Sequence, residues 1–274
     1  MKIQLESAHL VIFESCLYRT TTTLVLGDDH LLLVDPNWLP AEIDFIAQYI
    51  DQKISQRKPY LLFTHSDYDH IIGYGKFQHY DTIASSNFKF TRNVKSILGQ
   101  ISDFDIQYYI ARNYPIEYPD IKISIDKDVQ KSIGSENFHF YQAPGHNPDG
   151  LITFLELSGV LIVGDYLSNL EFPFIEHSFV FYRQTLDKLE QIFDKHQVTI
   201  LITGHGDHTT DVDEMRHRLQ VARFYLDSLE AMVLSNRLFD LDYLRSQYPF
   251  FAGMEEYHQK NIDLVVRELS GTVL

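Results

Sequence analysis

The chain has 274 residues, enough for one large hydrophobic core or two smaller ones, and its 45% hydrophobic and 22% charged content is that of an ordinary globular protein. Its formal net charge of −15, with no basic run, disfavours stable binding to nucleic acid or to an anionic membrane surface. The single cysteine, Cys16, excludes an intramolecular disulfide, and no window of about 18 apolar residues is present to cross a bilayer.

The opening stretch, Met1 to Ser7, lacks a secretory pattern, so a cytoplasmic location is the expectation. His9–Phe13, Thr21–Leu26 and His30–Asp35 are β-branched and aliphatic and predict strands, the last two joined by a turn at Gly27-Asp28-Asp29. Cys16, between the first two, is expected as a small buried residue. Pro40 opens a helix over Ala41–Ser55, with Ile43, Ile46, Ala47, Ile50 and Ile54 at helical spacing. Tyr60–Phe63 then reads as a buried strand, and Ile71–Phe77 as a short helix or turn. After a strand at Asp81–Ser85, residues 86–120 are rich in Tyr, Phe, Asn and Ile with weak helical signals. They form either a cap beside the site, suited to an apolar part of a substrate, or an ordinary helical connection.

Strand patterns resume at Ile121–Ile125, Asn137–Gln142, Leu151–Leu157 and Val160–Val163, the last two joined at Ser158-Gly159. Ser178–His196 is an amphipathic helix, Val198–Thr203 a buried strand, and Glu214–Leu234, Leu238–Gln247 and Met254–Leu269 are helical. No low-complexity linker interrupts the chain. One domain over 1–274 is expected, with a core of about 5–215 and a helical extension over 216–274. Strands and helix, then strands and helix again, predict a two-layered β-sandwich flanked by helices.

The chemistry concentrates in Thr64-His65-Ser66-Asp67-Tyr68-Asp69-His70, directly after a buried strand. Two imidazoles and two carboxylates so close together would repel or compete for protons unless divalent cations joined them, and nitrogen and oxygen donors suit zinc, iron or manganese. Three further donors follow strands beside glycine: His146 after Gly145, Asp165 after Gly164, and His205 between Gly204 and Gly206. Glycine there lets backbone approach a shared centre. His208, three residues past His205, competes with it for the last position. The remaining histidines (His9, His30, His79, His139, His177, His196, His217 and His258) have no such context, and structural or solvated roles are expected.

This set resembles the metallo-β-lactamase superfamily, over roughly residues 5–215. The resemblance implies an α+β, four-layer αββα sandwich with the site at one edge. It implies a first metal on His65, Asp67 and His146, a second on Asp69, His70 and His205, Asp165 between them, and Asp35 supporting the ligands from behind. Asp67 stands where most members carry histidine. Two divalent ions bring four positive charges; Asp67, Asp69, Asp165 and a hydroxide cancel all four, whereas histidine at 67 would leave one. The harder set favours iron or manganese without excluding zinc. A carboxylate here resembles the flavodiiron proteins, which use glutamate, and competence-channel nuclease-like domains. His258-Gln259-Lys260-Asn261 resembles tails of glyoxalase-II-like hydrolases, which could cover the site, complete the core or make a dimer contact.

The implied activity is hydrolysis of a small ester, thioester, lactone or phosphodiester by a metal-bridging hydroxide. Asp69 would orient the nucleophile and carry a proton, and Tyr68 and Tyr166 could donate to an oxyanion. The alternative is a diiron oxygen or nitric oxide reductase served by a separate electron donor. A small-molecule substrate, and a possible homodimer, are the expected partners.

Overall fold

The computed structural model describes residues 1–54, 56–235 and 237–270. The first half of the chain lays down β1 (Lys2–Glu6), β2 (Leu10–Glu14), β3 (Thr21–Leu26) and β4 (His30–Val34), then helix α1 (Pro40–Asp51) and β5 (Lys58–Leu62). Helix α2 (Tyr68–Ile71), β6 (Asp81–Ser85), α3 (Ser86–Lys89), α4 (Val94–Gln107) and β7 (Ile123–Ile125) follow. These seven strands form one sheet in chain order, antiparallel from β1 to β4 and parallel from β4 to β7. The second half supplies β8 (Val129–Ile133), β9 (Glu136–Gln142), β10 (Leu151–Leu155), β11 (Val160–Ile162), α5 (Phe179–Lys195) and β12 (Ile200–Ile202). Their sheet runs β12-β11-β10-β9-β8, with only the β11–β12 pair parallel. Helices α6 (Val212–Ser235), α7 (Leu241–Gln247) and α8 (Glu255–Ser270) complete the described chain.

Alternation along the strands builds the layers. Leu32 and Val34 of β4 face inward and meet Phe138, Phe140, Leu151 and Ile162 of the other sheet; Leu31 and Leu33 face outward onto Ile43, Ile46 and Ile50 of α1. On the far side Ile152, Phe154, Leu161 and Leu201 pack beneath α5, α6 and α8. The result is helix, sheet, sheet, helix: the α+β, four-layer αββα sandwich expected.

Helix ends carry their signals. Pro40 occupies the first turn of α1, where its missing N–H costs nothing, and Glu42 reaches back to the Leu39 N–H at 3.2 Å. Ser178 caps α5 by accepting from the Phe181 N–H, and Glu268 of α8 accepts from Phe179 and Val180 at the same end.

Several boundaries differ from the sequence reading. β1 and β8 were not expected; both are sheet-edge strands, and the three central residues of β8 are exposed, so neither carries a buried apolar run. α2 starts at Tyr68, inside the ligand-bearing motif, rather than after it. Cys16 is exposed rather than buried. Residues 86–120 both pack and line: Ile97, Ile101 and Phe104 bury against the first sheet's outer cluster, while Thr91, Asn93, Ser96 and Gln100 face a cavity. The wall they present is largely polar, because the aromatics Phe88, Phe104 and Tyr114 turn into the core. No helix among the described residues is long and apolar enough to cross a membrane.

Candidate metal centre

Donors from both sheets converge at one edge of the sandwich. β5 delivers His65, Asp67, Asp69 and His70; the β9–β10 connection brings His146; the ends of β11 and β12 bring Asp165 and His205. Backbone hydrogen bonds lock the edge: the Leu151 N–H donates to the Thr64 carbonyl and the Thr21 N–H to the Gly204 carbonyl, both at 2.7 Å. Glycine is required at 204, where a Cβ would fall on Asp165 Oδ1 with His70 Cε1 only 2.9 Å away. Gly145, at φ +133°, fits its backbone against Tyr182, and no side chain would be tolerated there.

Each histidine is turned by a partner on its outer nitrogen. His70 Nδ1 donates to Asp35 Oδ2 at 3.0 Å, His146 Nδ1 to the Phe174 carbonyl at 2.9 Å, and His205 Nδ1 to the Tyr18 carbonyl at 2.9 Å. Thr64 Oγ1 donates to Asp35 Oδ2 at 2.5 Å, an acceptor-only group, so it must accept from His65 Nδ1 at 2.9 Å. Asp35 therefore orients His70 directly and His65 through Thr64. Asn147 does the same for Asp67, donating from Nδ2 to Oδ1 at 2.7 Å. Of these supports only Asp35 was visible in the sequence, as an implication of family likeness. Thr64 and Asn147 stand next to ligands but carry no signature of their own, and backbone carbonyls carry none at all.

All four Nε2 atoms consequently point inward. His65, Asp67, His146 and Asp165 offer donor atoms lying within 4.8 Å of one another, as do Asp69, His70 and His205. Within the first group the Nε2–oxygen separations run from 3.1 to 3.5 Å. In the second, with Asp165 included, they run from 3.2 to 3.6 Å. Donors about 2.0–2.2 Å from a tetrahedral cation lie about 3.3–3.6 Å from each other, which most of these separations match; the shortest, His146 Nε2 to Asp67 Oδ2 at 3.1 Å, is also a hydrogen bond. The Nε2 atoms of His65 and His70, and Asp165 Oδ1, are buried with no hydrogen-bond partner. Orphaned buried polar atoms are costly, and a divalent cation would satisfy all three. The residues present fit a metal. A third triad, Asp35 with His65 and His70, is the supporting network just described and not a separate centre.

The charges are consistent with that fit. Burial opposes a charged imidazole at His70, but Asp165 and Asp69 more than offset it and raise its pKa to about 9; at His146 Asp67 does the same, again to about 9. Burial likewise opposes ionised Asp67 and Asp165, yet the surrounding imidazoles hold both well below the usual carboxylate range.

His208 lies outside: its Nδ1 meets Gln4 Oε1 at 2.9 Å, while His205 Nε2 sits 3.4 Å from both Asp69 and Asp165. Tyr68 lines the cavity beside the donors and packs edge-on against Trp38. Tyr166 does not reach it as an oxyanion donor: its hydroxyl donates to the Ala143 carbonyl at 2.9 Å and accepts the His146 N–H at 3.0 Å, fixing the histidine's loop. The cavity above the donors measures about 930 Å³. Its walls include Thr91, Ser96 and Gln100 near α4, Glu171 and Phe174 from the loop after β11, and Tyr257 of α8.

The model of the metallo-β-lactamase superfamily matches residues 17–205. No curated protein matches the sequence. Among solved structures, a metallo-β-lactamase from Pontibacter korlensis is similar at 14% identity, covering 81% of this chain and 98% of its own, with a TM-score of 0.57. An archaeal superfamily protein from Sulfolobus tokodaii shares 16%, covering 97% of this chain and 100% of its own, at 0.55. The inverting sec-alkylsulfatase from Pseudomonas sp. shares 18% over 83% of this chain but only 43% of its own length, at 0.61. At such identities these likenesses concern the fold.

Proposed function

This chain belongs to the metallo-β-lactamase superfamily, whose members are mostly metal-dependent hydrolases, and we propose that it hydrolyses a small ester, thioester, lactone or phosphodiester at a binuclear centre. The observation that carries the proposal is the pair of donor groups sharing Asp165 at the floor of a cavity of about 930 Å³. His65, Asp67, His146 and Asp165 would hold one ion, and Asp69, His70, His205 and Asp165 the other. Two divalent ions held there would make a hydroxide nucleophile available at neutral pH and would polarise the scissile oxygen. With three carboxylates in the set, iron or manganese competes with zinc.

The chain's own groups do the rest. Asp69, buried between His70 and His205, orients the attacking water and carries its proton toward the leaving group. Burial and the Asp69 charge push the Tyr68 hydroxyl up, so it stays protonated and serves as a hydrogen-bond donor to an oxyanion at the cavity wall. A small molecule is the substrate suited to this volume.

The test is Asp165→Ala, with metal content measured beside turnover on chromogenic esters, lactones and phosphodiesters after reconstitution with zinc, iron or manganese. Loss of both metal and turnover is expected. Full metal and full activity would overturn the assignment. Oxygen uptake from a reduced electron donor, with no hydrolysis of any panel member, would replace the hydrolase with a diiron oxidoreductase.

A further inference from the structure

The family match ends at residue 205, yet one side chain far beyond it is wired to the metal centre. Asn261 of α8 is 2% exposed, and both halves of its amide are used. Its Oδ1 accepts the Ile175 N–H at 2.9 Å; its Nδ2 donates to the Pro173 carbonyl at 2.6 Å and to the Tyr225 hydroxyl at 2.8 Å. A backbone N–H can only donate and a carbonyl can only accept, so one orientation of the amide satisfies the set. The Tyr225 hydroxyl passes its own proton to His258 Nδ1 at 2.9 Å, which accounts for the buried His258 as a neutral acceptor.

The two loop bonds bracket a single residue, Phe174, and Phe174 is the residue whose carbonyl receives His146 Nδ1. Its ring is gripped as well, stacked on Tyr257 of α8 at 4.4 Å and 9°. With Pro173 and Ile175 pinned on either side, the Phe174 peptide cannot rotate without breaking a buried hydrogen bond. Among the described residues, the Phe174 carbonyl is the one hydrogen-bond partner of His146 Nδ1.

We propose that Asn261 is a positioning residue for His146: α8 sets the orientation of this metal donor through the 173–175 segment, so the C-terminal extension is part of the centre's supporting structure. Outer partners that orient a ligating histidine typically change metal affinity by about 10–100-fold when removed. Here the partner is a carbonyl, which no substitution can delete, and Asn261 is the side chain through which its placement can be altered.

The inference rests on the metal reading above, and one titration separates the two. Zinc is titrated into metal-free protein against a chromogenic chelator, and His146→Ala marks the binding step that depends on His146. Asn261→Ala is expected to weaken that step about 10–100-fold while leaving the other within about twofold. Tyr225→Phe is the control: it removes a bond of the same buried network but keeps both bonds to the loop, so both steps should stay as in the wild type. Asn261→Asp, which keeps shape and acceptor but loses the donor to Pro173, serves if the alanine variant does not fold, with the same expectation. Cobalt(II) substitution gives a second readout, since a reoriented imidazole shifts the ligand-field bands. A lower melting temperature with unchanged zinc steps and cobalt spectrum would overturn the proposal, as would equal weakening of both steps. If the wild type takes up no divalent ion, the metal reading itself fails.

Discussion

Replacing Thr64 by valine probes the network behind the centre with almost no change in shape. The Thr64 hydroxyl donates to the Asp35 carboxylate at 2.5 Å and accepts from His65 Nδ1 at 2.9 Å, both inside the protein. The first is charge-assisted and contributes about 1.5–3 kcal/mol; losing the second strands a buried N–H, at about 1–3 kcal/mol. The Thr64 N–H still donates to Asp35 Oδ1, so the end of β5 keeps its anchor. Thr64→Val should therefore destabilise the metal-free protein by about 2.5–6 kcal/mol. Affinity for the ion on His65 should fall about 10–100-fold, because the imidazole no longer starts in its binding orientation. Thr64→Ser, which keeps the hydroxyl and loses one methyl, should cost about 1 kcal/mol and leave affinity near the wild type. Zinc titration against a competing chelator, paired with denaturant unfolding in a chelator, reads both quantities. Equal affinities for the valine and serine variants would refute the reasoning, since the hydroxyl would then carry no information to the metal.

Gly204→Ala should displace the Asp165 carboxylate, because the added methyl lands on Oδ1; metal per chain should fall by at least about half, and full occupancy would show that Asp165 is not shared. Asp67→His removes one negative charge from the donor set, so the acid limb of the pH–rate profile should move down by about one unit and metal preference toward zinc. An unmoved limb would refute the charge argument. Metal binding should release several protons at pH 7, since, despite burial, neighbouring carboxylates raise all four imidazoles, His70 and His146 to about 9 and His65 and His205 well above the ordinary value, and each must be neutral to bind. The sign for stability is opposite to that of the loaded form. Raised imidazole pKa values stabilise the metal-free fold fully below the ordinary value of 6.5, and that contribution is lost as pH rises through about 9. Calorimetry in two buffers of different ionisation enthalpy counts the protons, and melting curves in chelator follow the pH trend; zero proton release would contradict the assignment.

The seven donors were legible because they follow strands: His65, Asp67, Asp69 and His70 come within eight residues of the buried Tyr60–Phe63 run, and His146, Asp165 and His205 each follow a strand beside glycine. The sandwich was legible in the strand patterns: the unbroken apolar run in His30–Val34 marks a strand buried on both faces, and two-residue alternation in Glu136–Gln142 marks one buried face. What the sequence concealed is what burial does not mark. β8 reads Val-Gln-Lys-Ser-Ile and pairs only on one side, so nothing apolar recurs along it. The Tyr166 hydroxyl looked free to reach an oxyanion, and only the close return of the 143–146 loop shows that it is spent on backbone groups. The aromatics of 86–120 suggested an apolar wall, but aromatic content does not tell which side of a helix faces a cavity, and here Thr91, Ser96 and Gln100 do.

The division of labour between the sheets explains why the donors come in two kinds of segment. His65, Asp67, Asp69 and His70 leave the seven-stranded sheet within one short stretch, and α2, starting at Tyr68, turns Asp69 and His70 toward the centre. The five-stranded sheet contributes single residues from three separated loops, each held by a contact outside itself: the Phe174 carbonyl on His146, the Gly204 N–H on the Gly164 carbonyl beside Asp165, and the Tyr18 carbonyl on His205. The first group shares one short stretch, but Asp35 behind His65 and His70 and Asn147 on Asp67 also hold it from other parts of the chain. The second depends on packing across the molecule, including α8 and the β2–β3 connection. Substitutions that weaken the centre without touching a donor are therefore to be sought at Asp35, Thr64 and Asn147 for the first group, and in the contacts behind His146 and His205 for the second.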